Sequence, residues 1–373
     1  MSIQFDKVQP KNKEQLKQLI NYAFKHNIYD LNFIDTSEIT DMSMLFRYSD
    51  YNFDVSNWNV SNVTDMNNMF YCCNNFDCDL SNWDVSNVTN MSGMFNSCFE
   101  FTGKGLKNWN VSNVIDMSYV FCLCENFNCD LSKWNVSNVT DMSNLFRYCG
   151  EFNCDLSNWD VSNIKNMKNM FAECEKFEGK GLENWNVSNV TNMESAFENC
   201  YCFNADLSNW DVSNVTNMRS MFKNCEEFND DLSNWNTSEL RNIGSMFEGC
   251  KKFEGKGLEN WNTSKLVIMS AAFFLCKKFT GKCLENWDVS RVRDLDDTFS
   301  NCENLNCDLS KWNTSNAENM FRTFCRCKKF TAKGLEKWNI SKVTDYREML
   351  YGCDNATIPS WYKESWYYRT YNK

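Results

Sequence analysis

Histidine and proline are almost missing from this 373-residue sequence. Its single histidine, His26, leaves the body of the chain without the imidazole that nucleophilic triads, acid-base pairs and His-ligated zinc or haem require. We therefore predict a protein that is not an enzyme, with no catalytic residue, metal or cofactor. The two prolines, Pro10 and Pro359, bracket the chain, as expected if proline is excluded where backbone N–H groups must donate.

Long apolar runs and excess positive charge are also missing. No stretch of about 18 apolar residues could form a membrane-spanning helix, and the N-terminal segment lacks the apolar core and cleavage pattern of a signal peptide. We expect a soluble, cytoplasmic protein, with the cell surface, reached by an unrecognised route, as the alternative. The 38 Lys and Arg against 49 Asp and Glu give a net charge of −11, which argues against a nucleic-acid partner.

The sequence contains a repeat of 25 or 26 residues. A tryptophan opens each unit, and Asn or Asp, Ser, Met and Phe follow at fixed distances, as in Trp58, Asn59, Ser61, Met66 and Phe70. An imperfect first unit, in which Ile34 replaces tryptophan, brings the number to thirteen. The tryptophans are Trp58, Trp83, Trp109, Trp134, Trp159, Trp185, Trp210, Trp235, Trp261, Trp287, Trp312 and Trp338.

The longer spacing has a visible cause in the segments FTGKGL, FEGKGL, FTGKCL and FTAKGL, which replace FDCDL or FNCDL. Each of these variants inserts one residue. The pairs Gly103 with Gly105 and Gly255 with Gly257 suit a positive-φ turn that would absorb the insertion. We expect the apolar columns to stay in register across it.

A 25-residue period with large apolar residues at fixed offsets fits a solenoid coil of leucine-rich-repeat size. The fold predicted is a repeat solenoid, a leucine-rich-repeat-like, right-handed coil stack with short parallel strands and short helical turns. Within one coil we expect strands near residues 76–80 and 88–91, and a helical or 3-10 turn over residues 92–98.

Such a stack needs covered ends, because terminal coils would otherwise expose apolar core. We predict an N-terminal capping helix region over residues 1–30, a thirteen-coil solenoid over residues 31–353 and an aromatic C-terminal cap over residues 354–373. The helix should bury one face, and the C-terminal aromatics should cover the last coil. The helix face comprises Leu16, Leu19, Ile20, Ala23 and Phe24, and the C-terminal cap Pro359, Trp361, Tyr362, Trp366, Tyr367 and Tyr368.

Two polar columns run through the repeat. Cysteine lies three residues after the phenylalanine from Cys73 to Cys353, where a metal array or redox relay competes with a ladder of buried free thiols; the thiols suit a tight turn better. Asp or Asn precedes the methionine, as at Asp65 and Asn90. Because Asp and Asn interchange freely, we predict side-chain hydrogen bonds to the turn backbone and not calcium binding.

The segment WNVSNVTDMNNMFYCCNNFDCDLSNWDVSNVTNM, residues 58–91, resembles the repeat of the BspA-like surface-protein family. The similarity extends over about residues 31–353. It implies a leucine-rich-repeat-like solenoid and an association with bacterial surface antigens, adhesion and host-protein binding, while many other members have no assigned activity. The family supplies no catalytic residues to transfer.

We predict a non-enzymatic scaffold for protein–protein interaction, with a protein partner and variable side chains as contacts. A self-assembling structural protein and an exported surface adhesin are the alternatives. Six lysines on two adjacent coils could bind an anionic partner or simply form a solvated surface. The candidate contacts are Arg47, Tyr48, Phe99, Arg147, Tyr148, Tyr201, Phe274, Lys251, Lys252, Lys256, Lys277, Lys278 and Lys282.

Overall fold

A computed structural model describes residues 7–363 of the chain. The chain divides into two compact units, residues 1–181 (unit 1) and 182–373 (unit 2), which we describe one at a time. The repeats are numbered as coils 1 to 13 in chain order, so that unit 1 holds coils 1–6 and unit 2 holds coils 7–13. The predicted division into an N-terminal cap, a solenoid and a C-terminal cap, with boundaries at residues 30 and 353, stays a prediction.

Successive coils within each unit are joined by single β-bridges. In residues 7–363 the structure has no strand longer than such an isolated parallel bridge. Most bridges occupy the Asx column, as between Asp65 and Asn90 in unit 1 and between Asn217 and Asn242 in unit 2. The strand expected over residues 76–80 is absent, and the one expected over residues 88–91 is reduced to the bridge at Asn90. The side chain of Asn90 accepts the N–H of Ser92 at 3.1 Å, which bends the chain away from the bridge.

The turn over residues 92–98 is not a helix. Met94 donates its N–H to Met91 three residues earlier at 2.9 Å, but the next N–H, of Phe95, donates to Val120 in the following coil at 2.9 Å. Successive amides alternate between an acceptor in their own coil and one in the next coil. They do so because Gly93 and Ser97 adopt positive φ, which turns every second N–H out of the coil. The prediction of a helical or 3-10 turn was therefore wrong.

Short 3-10 helices occur instead next to the inserted residue. They span Leu106–Asn108 in unit 1, and Leu258–Asn260, Lys282–Leu284 and Leu335–Lys337 in unit 2. Gly103 and Gly105 have φ of 84° and 88°, as predicted, and a Cβ on Gly105 would overlap the backbone nitrogen of Ser81. The bridge between Asn90 and Asp116 shows that the columns stay in register across the insertion.

Stacked aromatic columns fill the core of unit 1. Trp83 and Trp109 stack at 6.2 Å with rings 2° from parallel, and Phe70 and Phe95 stack at 5.5 Å. The indole Nε1 of Trp109 donates at 3.1 Å to the carbonyl of Leu80, 29 residues earlier in the chain. Each buried indole therefore contributes apolar burial while its N–H remains paired.

Unit 2 has the same core. Trp235 and Trp261 stack at 6.0 Å, and the Trp261 Nε1 donates to the Leu232 carbonyl at 3.3 Å. Phe222 and Phe247 stack at 5.9 Å. Since each coil buries its apolar side chains against its neighbours, stability in each unit is a sum of contacts between adjacent coils.

The predicted N-terminal helix, α1, spans Lys13–Lys25. Asn12 caps it by accepting the N–H of Gln15 at 3.0 Å. Leu16, Ile20 and Ala23 are buried, but Leu19 and Phe24 are only half-buried, so the predicted apolar face is narrower than expected.

The described part of the C-terminal cap ends at residue 363. Trp361 donates its Nε1 to the Leu335 carbonyl at 2.9 Å, and the backbone N–H of Leu350 lies 3.5 Å from the Tyr362 hydroxyl. Pro359 is buried. Trp366, Tyr367 and Tyr368 lie outside the described residues. In residues 7–363 no helix has the length and apolarity needed to cross a membrane.

Candidate interaction surface

Two positions in each coil have left-handed backbone. They lie two residues after the methionine column and two residues after the phenylalanine column; we call them the left-handed columns. In unit 1 they are Met44, Tyr48, Asn68, Cys72, Gly93, Ser97, Tyr119, Leu123, Asn144, Tyr148, Asn169 and Glu173, and in unit 2 Ser195, Asn199, Ser220, Asn224, Ser245, Gly249, Ala271, Leu275, Asp297, Asn301, Arg322, Arg326, Glu348 and Gly352. Glycine and asparagine adopt positive φ readily, whereas tyrosine and leucine do so at a cost.

Tyrosines in these columns of unit 1 are exposed. Tyr48, Tyr119 and Tyr148 keep 60%, 42% and 38% of their surface accessible. Their amides still complete the backbone ladder, as when Tyr48 donates to the Tyr71 carbonyl at 2.8 Å. The backbone therefore requires the left-handed turn, but nothing in the packing requires a tyrosine there.

Two predicted arginines stack on these tyrosines. The Arg47 guanidinium lies 4.7 Å from the Tyr48 ring centre and 4.9 Å from that of Tyr71. In coil 5, Arg147 lies 5.0 Å from the Tyr148 ring. These contacts hold planar cationic and aromatic groups at the surface, an arrangement suited to binding protein side chains.

The other predicted aromatics lie elsewhere. Phe99 is half-buried and Tyr201 is exposed; each follows a column cysteine, so they share a column with Lys251. Phe274 is half-buried and lines a groove of about 270 Å³ in coils 10–13 of unit 2. Phe99 and Tyr201 therefore belong to the positions after the column cysteine, and Phe274 to those after the column phenylalanine; their role as contacts stays a prediction.

The groove contains charged residues that the sequence analysis did not identify. Asp297 and Glu348 line it, and Arg322 pairs with Glu348 at 2.8 Å. Tyr351 also lines it. The signal was present in the sequence, since charged residues here replace the Asn, Ser and Gly of other coils.

Beside the groove, the carboxyl group of Asp296 has a raised pKa. Burial, and then the charges of Asp297, Asp294 and Asp345, raise the pKa of Asp296 to about 6. Its Oδ1 atom is buried and has no hydrogen-bond partner. The carboxylate of Asp296 therefore lacks the compensation that pairing with Arg322 gives to Glu348.

The predicted lysines fall into two groups. In coil 9, Lys251 pairs with Glu226 at 2.6 Å, Lys252 pairs with Glu227, and Lys256 pairs with Asp231 at 2.6 Å. The lysines of coil 10 are exposed, and no ion pair to them exists within residues 7–363. This second group comprises Lys277, Lys278 and Lys282.

The cysteine column consists of buried hydrogen-bond donors. Cys73 and Cys98 in unit 1 donate their thiols to the carbonyls of Phe46 and Phe70, each at 3.0 Å, and Cys250 in unit 2 does the same to Phe222 at 3.0 Å. Burial raises the pKa of Cys73 to about 12. The free-thiol ladder is confirmed as a structural element, because each thiol links one coil to the preceding coil.

The Asx column also behaves as predicted. Asp65 accepts the N–H of Asn67 at 2.9 Å, and Asn217 in unit 2 accepts that of Arg219 at 3.1 Å. Since one oxygen acceptor is all that the turn needs, Asp and Asn are interchangeable at this position.

These coils and columns define a tandem-repeat coil protein. The chain belongs to the family described as "Mycoplasma protein of unknown function, DUF285", which matches it over residues 14–106, 97–181, 166–256 and 245–361. The resemblance to BspA-like proteins stays a prediction. No curated protein matches the chain.

Solved structures also match the chain. One belongs to the crystal structure of a TLR13–ssRNA13 complex, with 12% identity and a TM-score of 0.29. The alignment covers 87% of this chain and 53% of that one, so this chain spans about half the length of the protein it matches.

Proposed function

We propose that the chain is a non-enzymatic scaffold for protein–protein interaction and that side chains in the left-handed columns are its contacts. The observation that supports this proposal is the presence of exposed tyrosines at Tyr48, Tyr119 and Tyr148. Equivalent positions in other coils carry residues that tolerate positive φ, such as Asn68 and Asn224.

A tyrosine at these positions disfavours folding of the isolated chain. Left-handed backbone costs an L-residue with a Cβ about 1–2 kcal/mol, and exposed rings recover little of that by burial. Tyrosine and arginine are enriched where proteins bind one another. Binding explains why Tyr48 occupies a position where asparagine would be more stable.

The chemistry of the thiols supports a role without catalysis. Reactive cysteines are accessible and have lowered pKa values, whereas burial raises the pKa of Cys98 well above its usual range. A reducing compartment such as the cytoplasm suits a chain whose column thiols donate hydrogen bonds. Fractionation of native cells, with the protein in the soluble fraction, is the result expected for this location.

The test compares captured partners. Full-length protein in which Tyr48, Tyr119 and Tyr148 are changed to asparagine is used for affinity capture from the native cell beside the parent chain. We expect a partner recovered by the parent to fall by roughly tenfold or more with the variant, because aromatic contacts often carry most of an interface's energy. The thermal stability of the variant should stay equal or rise, since asparagine tolerates the left-handed backbone.

A tyrosine outside the left-handed columns provides the matched control. Tyr22 lies on α1 and is 59% exposed, so Tyr22→Gln should recover the same partners as the parent. Equal recovery by all three proteins would contradict the proposal. Light scattering that rises with concentration, with no captured partner, would favour a self-assembling structural protein. Native protein found on the cell surface would favour an adhesin.

A further inference from the structure

Lysines in three columns of the repeat follow a pairing rule. These columns lie one and two residues after the column cysteine and at the lysine of the GKG-type insertion. A lysine in one of them bonds an acceptor one coil earlier, as Lys176 does to Glu151 at 2.5 Å and Lys180 to Asp155 at 2.9 Å in unit 1. Each such lysine therefore has an ion-pair or hydrogen-bond partner inside the stack.

Coil 12 of unit 2 follows the rule at all three positions. Lys328 pairs with Glu303 at 3.3 Å, and Lys333 pairs with Asp308 at 2.8 Å. Lys329 donates to the Oδ1 atom of an asparagine in coil 11 at 2.6 Å. Coil 9 also follows it, through the three ion pairs described above.

Coil 10 breaks the rule at all three positions. The residues one coil before Lys277, Lys278 and Lys282 are themselves lysines, and each of these is already paired with an acid of coil 8. In the following coil, Glu303 is paired with Lys328. The three ammonium groups of coil 10 are therefore left without a carboxylate partner in the part of the chain that the structure describes.

The acids close in sequence do not compensate them. Glu285 accepts the backbone N–H of Asp308 at 3.1 Å, and Glu259 acts on the pKa of Lys256. Neither forms an ion pair with a lysine of coil 10, so the positive charge stays available to solvent. A local excess of one sign at the surface attracts a partner of the other sign.

We propose that Lys277, Lys278 and Lys282 form a binding site for a short acidic segment of a protein partner. The site rests on the proposed function, since it names the chemistry of one partner segment. Carboxylates from that segment take the acceptor positions that coil 9 does not supply.

The surroundings favour a short peptide over a long polyanion. Glu254 and Glu259 of the preceding coil form no ion pair among the described residues, and the whole chain carries a net charge of −11. A nucleic acid long enough to extend past coil 10 would face these carboxylates, whereas two or three carboxylates on a peptide match the unpaired ammonium groups.

The test measures binding of fluorescein-labelled hexaglutamate to the full-length protein by fluorescence anisotropy, with labelled hexaserine for comparison. Salt is kept at about 20 mM, because exposed charges are strongly screened near 150 mM. We expect saturable binding of hexaglutamate and weaker binding of hexaserine. Equal binding of the two peptides would overturn the proposal.

Two triple variants locate the site. Changing Lys277, Lys278 and Lys282 to serine should weaken hexaglutamate binding by roughly tenfold or more, because each removes an unpaired charge. Changing Lys328, Lys329 and Lys333 of coil 12 to serine alters the same columns and the same charge, but should change binding by less than about twofold. Equal losses in both variants would show a nonspecific charge effect and overturn the site.

Two further measurements separate the possible outcomes. Tighter binding of a labelled oligothymidine than of hexaglutamate would replace the acidic peptide by a nucleic acid and overturn the proposal. The asparagine variant of Tyr48, Tyr119 and Tyr148 should bind hexaglutamate like the parent. If that variant loses its captured partner while the parent shows no hexaglutamate binding, the interaction function stands and the lysine site fails.

Discussion

Unit 1 and unit 2 have the same core but different outward chemistry. In both units, stacked indoles donate to leucine carbonyls 29 residues earlier, and column thiols donate to phenylalanine carbonyls. The left-handed columns of unit 1 carry exposed tyrosines, whereas those of coils 11–13 in unit 2 carry Asp297, Arg322, Arg326 and Glu348. The difference teaches that the backbone fixes the positions of the outward side chains but not their chemistry.

If the cores are equivalent, removing one indole from either unit should cost the same. Trp134 in unit 1 and Trp261 in unit 2 are 2% and 6% exposed, and each is stacked within its column. We expect Trp134→Ala and Trp261→Ala each to lower the free energy of unfolding by about 3–5 kcal/mol, measured by urea denaturation followed by circular dichroism. Tyr148→Ala, which truncates an exposed ring, should change it by less than about 0.5 kcal/mol. A loss in one unit less than half that in the other would break the equivalence.

The insertion turns should also behave alike in the two units. A Cβ on Gly105 or Gly257 would overlap the backbone of the preceding coil, and both residues have φ near 90°. We expect Gly105→Ala and Gly257→Ala each to lower the free energy of unfolding by roughly 2–3 kcal/mol, through backbone strain and overpacking.

Gly150 supplies the control for that pair. Nothing lies within 4 Å of a Cβ built on it, so Gly150→Ala should leave the thermal midpoint within about 2 °C of the parent's. If all three alanine variants melted together with the parent, the close approach at the insertion would carry no energetic weight.

Asp296 should give unit 2 a pH dependence of opposite sign to that of ion-paired aspartates such as Asp130 of unit 1, whose pKa is lowered by the hydrogen bond from Lys107. Since the pKa of Asp296 is raised from 3.8 to about 6, folded protein holds this proton more tightly than unfolded chain. The stabilisation is present below pH 3.8 and is lost as pH rises through 6. With solvent screening, we expect Asp296→Asn to raise the free energy of unfolding at pH 7 by roughly 1 kcal/mol, with a smaller gain at pH 4.

Asp141 of unit 1, in the Asx column, is the control for the loss of one carboxylate charge. Its carboxylate accepts the N–H of Ser143 at 2.8 Å, a role that Asn166 fills in the next coil. Asp141→Asn should therefore leave the difference in stability between pH 4 and pH 7 as it is in the parent. A gain at pH 7 from both variants would show that net charge alone, and not the surroundings of Asp296, is responsible.

The apolar columns, the N-terminal helix and the effect of the insertion could be predicted from the sequence. Trp83 and Trp109 occupy equivalent positions, and only a stack of equivalent coils places such residues face to face. Gly103 and Gly105 mark the inserted residue because few other residues accept their backbone angles. The Asx turns were also predictable, because the side chains of Asp65 and Asn90 each accept the backbone N–H two residues later.

The backbone between the columns could not be predicted. Residues 88–91 favour a strand and residues 92–98 a helical turn when judged by local preference. The structure differs because hydrogen bonds to the adjacent coil place Ser97 and other non-glycine residues at positive φ. Local preference contains no information about a carbonyl 25 residues away. The charged side chains beside Asp296 could be found only as departures from the Asn, Ser and Gly that other coils carry at the same positions.

The alternating amides of the turn give each coil a direction. Within a unit, Phe95 donates its N–H to Val120 in the following coil, and Phe222 does so to Met246, so every coil offers donors that the next copy must meet. Duplication or deletion of a whole repeat keeps these donors opposite their carbonyl acceptors, whereas duplication or deletion of part of a repeat would not. The gene can thus lengthen or shorten over evolutionary time in steps of one repeat. Each new copy then forms the same hydrogen bonds with its neighbours, while its outer side chains are free to diverge.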